Sequence, residues 1–197
     1  MLEVTVFVGA FVDPAIGAHA VVHGGTPDLE LGAASAKLRD ACGGAAYQRY
    51  LRECLEDEPL RLDDCLVTTP GTATAFRWVL HVPALELRVK DPETGGTTGP
   101  TRVSTCFRTA LSEATTLARA NALTGRLVVA TPLLGAGGPN FAPLRAANIL
   151  MMSLASHLRD ESEDDIAALG RLVFTADSED DAHHVRGAAA RNGIVLG

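Results

Sequence analysis

The chain has 197 residues, 47% of them hydrophobic and 21% charged, which is enough apolar material for one compact domain and too much for a disordered chain. Lys and Arg number 17 against 24 Asp and Glu, a net charge of −7, so the cationic surface that gives affinity for nucleic acid or an anionic membrane is missing. Four cysteines, Cys42, Cys54, Cys65 and Cys106, stand at wide intervals with no Cys-x-x-Cys pair, so reduced thiols, no metal, no cofactor and a cytoplasmic setting are expected.

In chain order, Glu3 to Val8 predicts a first strand, since Glu3 stands where a secretory leader needs positive charge. Ala20 to His23 is a second strand, followed by helices over Ala33 to Cys42 and Ala45 to Glu56 and by strands over Cys65 to Thr69 and Phe76 to Val82. Lys90 to Arg102 is rich in Gly, Pro and Thr and predicts a polar surface loop. The helix after it, Val103 to Leu123, places Val103, Phe107, Ala110, Leu111, Ala114, Leu117 and Ala118 on one face. Arg126 to Thr131 is a strand, and Leu144 to Leu158 a helix with Pro143 at its start and Leu144, Ala147, Met151, Leu154 and Leu158 on its apolar face. Its greasiest part, around Ile149 to Leu158, falls far short of the roughly 20 residues that cross a bilayer. The acidic run Asp160 to Asp165 reads as a solvated connector. Arg171 to Ala176 is a strand, Glu179 to Arg191 a helix that Ser178 and Asp181 cap, and Ile194 to Leu196 a last short strand. Strands alternating with amphipathic helices predict an α/β fold spanning residues 1–197 as one domain.

Two segments have the form strand, small-residue loop, helix. Val128 to Thr131 runs into Pro132-Leu133-Leu134-Gly135-Ala136-Gly137-Gly138-Pro139-Asn140-Phe141-Ala142-Pro143, where missing side chains let backbone N–H groups approach an anion at a helix N-terminus. The run lacks the Gly-Lys-Ser/Thr of a Walker loop and the third glycine of the dinucleotide fingerprint. Ala20 to His23 runs into Gly24-Gly25-Thr26-Pro27-Asp28-Leu29-Glu30-Leu31-Gly32-Ala33-Ala34-Ser35. In a parallel sheet two such loops converge at the carboxyl ends of neighbouring strands, where ligands bind. His23 at a strand end is a candidate general base, because histidine titrates nearest neutrality. The acids and histidines from Asp177 to His184 read as dipole complement at a helix start and not as a metal site.

The succession of His23-Gly24-Gly25-Thr26, Tyr50-Leu51-Arg52-Glu53-Cys54, Leu66-Val67-Thr68-Thr69-Pro70-Gly71, Trp78-Val79-Leu80-His81-Val82-Pro83 and Thr131-Pro132-Leu133-Leu134-Gly135-Ala136-Gly137-Gly138 resembles a macro domain, the ADP-ribose-binding module, in its bacterial and phage branch. The resemblance implies a three-layer α/β/α fold, with a central mixed sheet of about six strands and a cleft between Gly24 to Ser35 and Gly135 to Phe141. It implies a nucleotide-like diphosphate held by backbone donors at Gly135, Ala136, Gly137 and Gly138, with Asn140 beside them and Phe141 packing on ribose or base. Gly24, Gly25 and Ser35 line the first loop, and Ala10 and Phe11 stand at the adenine end.

The chain departs from that family at several of these positions. Gly9-Ala10-Phe11 replaces the Gly-Asp-Ile turn whose Asp reads the adenine amine, Asp13 lying three residues on; His23-Gly24-Gly25-Thr26 replaces Asn-Ala-Ala-Asn; and Ala176 or Asp177 stands where an aromatic stacks. ADP-ribose binding is therefore expected to be weakened and ADP-ribosyl hydrolysis weak or absent, any water being activated between His23, Thr26 and the phosphate loop. The alternative is a non-catalytic interaction or assembly protein with a vestigial cleft.

Overall fold

The computed structural model describes residues 2–32, 35–56, 58–85, 98–136 and 141–197. Six strands, β1 (Glu3–Val8), β2 (Ala20–Gly24), β3 (Leu66–Thr68), β4 (Trp78–Val82), β5 (Leu127–Pro132) and β6 (Leu169–Ala176), form one sheet in the order β1-β6-β5-β2-β4-β3. All neighbours are parallel except the edge strand β3, which runs against β4. The sheet is therefore mixed and six-stranded, as the resemblance implied.

Parallel strands are apolar on both faces because helices cover both. Ala20, Val22, Leu80, Val82, Val129, Leu172 and Phe174 face one layer, made by α3 (Pro100–Ala120), α4 (Pro143–Asp160) and α6 (Glu179–Arg191). Val21, Val79, Ala130 and Val173 point the other way, onto Leu38 and Cys42 of α1 (Ala36–Cys42) and Tyr47 and Leu51 of α2 (Ala45–Leu55). Helix α3 buries Val103, Phe107, Ala110, Leu111, Ala114 and Ala118, the stripe its spacing predicts.

Four expectations are corrected. Of the polar segment 90–102, residues 90–97 lie outside the described residues, but its end is not surface loop: Pro100 opens α3, where its missing N–H is harmless, and Thr98 is buried. Leu144 is exposed, because the buried face of α4 runs through Ala146, Ala147, Leu150, Met151 and Leu154 instead. The acidic run is not a plain connector, since Ser162 caps a short helix, α5 (Glu163–Ala168), by accepting from the Asp165 amide, and its three acids complement that helix end. Ile194 to Leu196 adds no strand: the chain turns at Gly193 and the Gly197 amide meets the Val4 carbonyl in a single bond of 2.9 Å.

Candidate ligand cleft

The carboxyl ends of β1, β2, β4, β5 and β6 open on one edge of the sheet. Strands β2 and β5 are neighbours there, with Val21 opposite Ala130, so their two loops leave side by side. They touch: a Cβ on Gly24 would lie 2.8 Å from Leu134 Cδ2 and 3.0 Å from the Ala84 Cβ, so a side chain there would have to displace Leu134 and crowd Ala84. The convergence predicted from two local patterns is thus present.

The β5–α4 loop begins with a tight turn in which the Ala136 amide donates to the Leu133 carbonyl and the Phe141 amide to the Gly135 carbonyl. Gly135 has φ +80°, and a Cβ there would meet Val103 Cγ2 at 2.8 Å and Phe141 Cδ2 at 3.0 Å. Backbone conformation and the packing of α3 both call for glycine at this position. Phe141 is 5% exposed, with the Arg145 guanidinium 4.9 Å over its ring, so the ring supports the turn from within and Arg145 brings a positive charge to the start of α4. Gly137, Gly138 and Asn140, expected at the phosphate, lie outside the described residues.

The β2–α1 loop is held by polar contacts that the sequence left unread. Gln48 of α2 accepts from the Leu31 amide at 2.7 Å and donates to the Leu29 carbonyl at 3.1 Å. Arg52 forks onto the Glu30 carboxylate at 2.8 to 3.1 Å. The Gly25 amide donates to the Val82 carbonyl and its carbonyl accepts from Leu85, which extends the β2–β4 pairing past the strand end. The Thr26 hydroxyl donates to Asp28 and accepts from the Glu30 amide.

Beneath this loop His23 is 3% exposed, with Nε2 2.7 Å from Ser35 Oγ and Nδ1 3.0 Å from His81 Nδ1. His81 Nε2 reaches the Thr68 hydroxyl at 3.0 Å and the Tyr47 hydroxyl at 3.1 Å. Burial pushes His23 down to about 4; burial, and then the neighbouring His23, takes His81 well below the usual histidine range. Both rings are therefore neutral at physiological pH. His81, Tyr47 and Thr68 were not anticipated; the available signal was a histidine inside each of two otherwise apolar strands, Ala20–Gly24 and Trp78–Val82.

Ala10 and Phe11, which the resemblance put at the adenine end, are half-buried on the turn after β1, and Phe11 packs against the second core. Asp13 caps the 3-10 turn Pro14–Ile16, its carboxylate accepting from the Ala15 amide at 2.8 Å. Asp177 pairs with Lys37 at 3.0 Å, joining the first turn of α1 to the loop after β6, and both side chains are exposed.

A family model described as Macro domain matches residues 22–150. Among solved structures the chain is similar to a mutant of the Oceanobacillus iheyensis macrodomain with ADPR, at 16% identity over 96% of this chain and 92% of that one, with a TM-score of 0.71. It is also similar to the Trypanosoma brucei macrodomain in complex with ADP-ribose, at 18% identity over 95% of this chain and 69% of that one, TM-score 0.67. The macro domain of ganglioside induced differentiation associated protein 2 aligns at 14% identity over 96% of this chain and 84% of that one, TM-score 0.68. A search of curated proteins by sequence finds no match. At such identities the structural likeness establishes the fold.

Proposed function

The chain belongs to the macro domain family, and on that premise we propose that the cleft between its β2–α1 and β5–α4 loops binds ADP-ribose or a related nucleotide-like diphosphate. The observation that carries this reading is the contact between Gly24 and Leu134, which brings the segments after β2 and β5 together at the carboxyl ends of adjacent parallel strands, where ligands bind in such sheets. Two solved relatives of the same fold hold such a ligand, ADPR in one and ADP-ribose in the other. Near the β5–α4 loop, Arg145 offers a diphosphate a charged partner, and the sequence of that loop, with glycine at 135, 137 and 138, is of the kind that lets an anion approach the backbone. Phe141 shapes this loop from below.

Affinity for ADP-ribose itself is low in this reading. Ala10 cannot accept from the adenine amine, and the Asp13 carboxylate is engaged by Ala15. A lost charged hydrogen bond is worth about 1.5–3 kcal/mol, or roughly tenfold to a hundredfold in Kd. Hydrolysis is weak or absent because neither His23 nor Thr26 is free to position water: the first is buried and bonded through both ring nitrogens, the second holds its own loop. Calorimetry with ADP-ribose, ADP and inorganic pyrophosphate tests the proposal. A Kd for ADP-ribose between micromolar and millimolar supports it. Silence across the panel overturns it in favour of a cleft kept only for architecture.

A further inference from the structure

The buried polar chain under the β2–α1 loop enters the reading above only as the reason His23 is not free to act on water. It runs from Ser35 through His23 and His81 to Tyr47 and Thr68, whose hydroxyls also bond each other at 3.0 Å. His23 and His81 are register partners on neighbouring parallel strands, their rings edge to face at 5.2 Å. A neutral imidazole has one donor and one acceptor nitrogen. The Nδ1···Nδ1 contact therefore leaves two arrangements of the same protons. In the first, His23 carries its proton on Nδ1 and gives it to His81; His81 donates from Nε2 to Tyr47 and Thr68; and Ser35 donates to His23. In the second every one of these bonds reverses: a hydroxyl of Tyr47 or Thr68 donates to His81 Nε2, His81 Nδ1 donates to His23, and His23 Nε2 donates to Ser35. The first makes Ser35 a free acceptor, the second a free donor.

Ser35 is the end of this chain that reaches the loop. It stands at the position before α1 where serine usually caps the helix, yet its side chain makes no cap bond. Its only partner among the described residues is His23. Ser35 Oγ thus has capacity left over, at 8% exposure, in the loop that borders the cleft.

We infer that Ser35 is a ligand-reading hydroxyl of the cleft, and that a phosphate oxygen selects the arrangement in which His23 donates to Ser35 and Ser35 donates to the ligand. This rests on the diphosphate reading of the same cleft. The chain changes polarity without acquiring charge, which suits a site where burial opposes a protonated imidazole. The two arrangements hold equal numbers of protons, so the ligand changes only where the protons sit and interconversion requires proton exchange at the ends of the chain.

The test is imidazole nitrogen NMR on protein labelled at histidine, free and with ADP-ribose, the resonances assigned with His23→Gln and His81→Gln variants. On titration, the His23 signals should move toward the Nε2–H form and the His81 signals toward the Nδ1–H form, in step. Ser35→Ala should weaken ADP-ribose binding roughly tenfold or more, and Ser35→Thr should restore most of it, as expected for loss of a hydrogen bond to a charged group. If backbone amides of the β5–α4 loop respond to ADP-ribose while both histidines stay unchanged, or shift to the opposite tautomers, the inference falls and the diphosphate reading stands. If no resonance responds at millimolar ADP-ribose, both fall. The labelled, unsubstituted chain decides the matter even where the Ser35→Ala variant folds poorly.

Discussion

Lowering the pH from 7 to 5 should weaken the fold by about 2 kcal/mol or more, with the facing pair His23 and His81 as the main cause. An imidazole that titrates at about 6.5 when unfolded and about 4 when buried takes up its proton mostly in the unfolded state over this window. Its folded value is depressed, so the stability it contributes is complete above 6.5 and lost as the pH falls toward 4. For His23 that loss is negligible at pH 7 and about 2 kcal/mol at pH 5, from 1.36 kcal/mol per pKa unit. His81 is held well below the ordinary histidine range by burial first and by His23 second, so it acts in the same direction, and the loss from His23 alone is already a sizeable share of the roughly 5–15 kcal/mol of an ordinary domain. His19 and His157, both also lowered mainly by burial, add to the slope. A comparison isolates the pair: urea unfolding at pH 7, 6 and 5, followed by the fluorescence of Trp78, on the unchanged chain and on the double variant His23→Leu, His81→Leu. The double variant starts less stable at pH 7, because Ser35 loses its partner, but it should lose less on acidification, by at least the roughly 2 kcal/mol that His23 accounts for. Equal losses in the two proteins would show that the pair is solvated or already protonated, and would refute the buried, neutral network.

Three further outcomes follow from the same structure. Gly135→Val places a side chain at φ +80° against Val103 and Phe141 and should destabilise by roughly 1–3 kcal/mol while abolishing nucleotide binding; a variant of unchanged melting temperature would mean that the turn relaxes freely. Asp177→Ala removes an exposed ion pair and should change stability by less than about 1 kcal/mol in denaturant titration, a larger drop showing that the bridge to Lys37 holds α1 in place. Turnover of ADP-ribosylated protein should be far below that of an active macro domain assayed alongside, and comparable turnover lost on His23→Ala would make His23 catalytic.

How much of this could be read from the residues depends on whether the signal was local. Six strands and five helices were visible because apolar alternation and helical spacing live within ten to twenty residues, and the loop after β5 was visible because three glycines fall within four residues. Helix α5 was not, since six residues are too few for a period and its acids look like any solvated run. The fate of the loop donors was hidden for a different reason. Glycine composition says that a backbone can be approached, not that its amide is unoccupied, and the amides of Gly25 and Ala136 are both engaged by other carbonyls.

The histidine pair marks the sharper limit. His23 and His81 are 58 positions apart and meet only because β4 lies beside β2, a pairing across a crossover that no periodicity encodes. Taken alone, a histidine at a strand end invites a catalytic reading, since its ordinary titration lies near neutral pH. Once β2 and β4 are in register, the same residue has a second imidazole on one nitrogen and a serine on the other, and burial removes its basicity. Its chemistry then passes to Ser35, the one member of the chain placed on the loop beside the cleft. That is why the tautomer measurement, and not a search for a general base, is the experiment that discriminates what this histidine does.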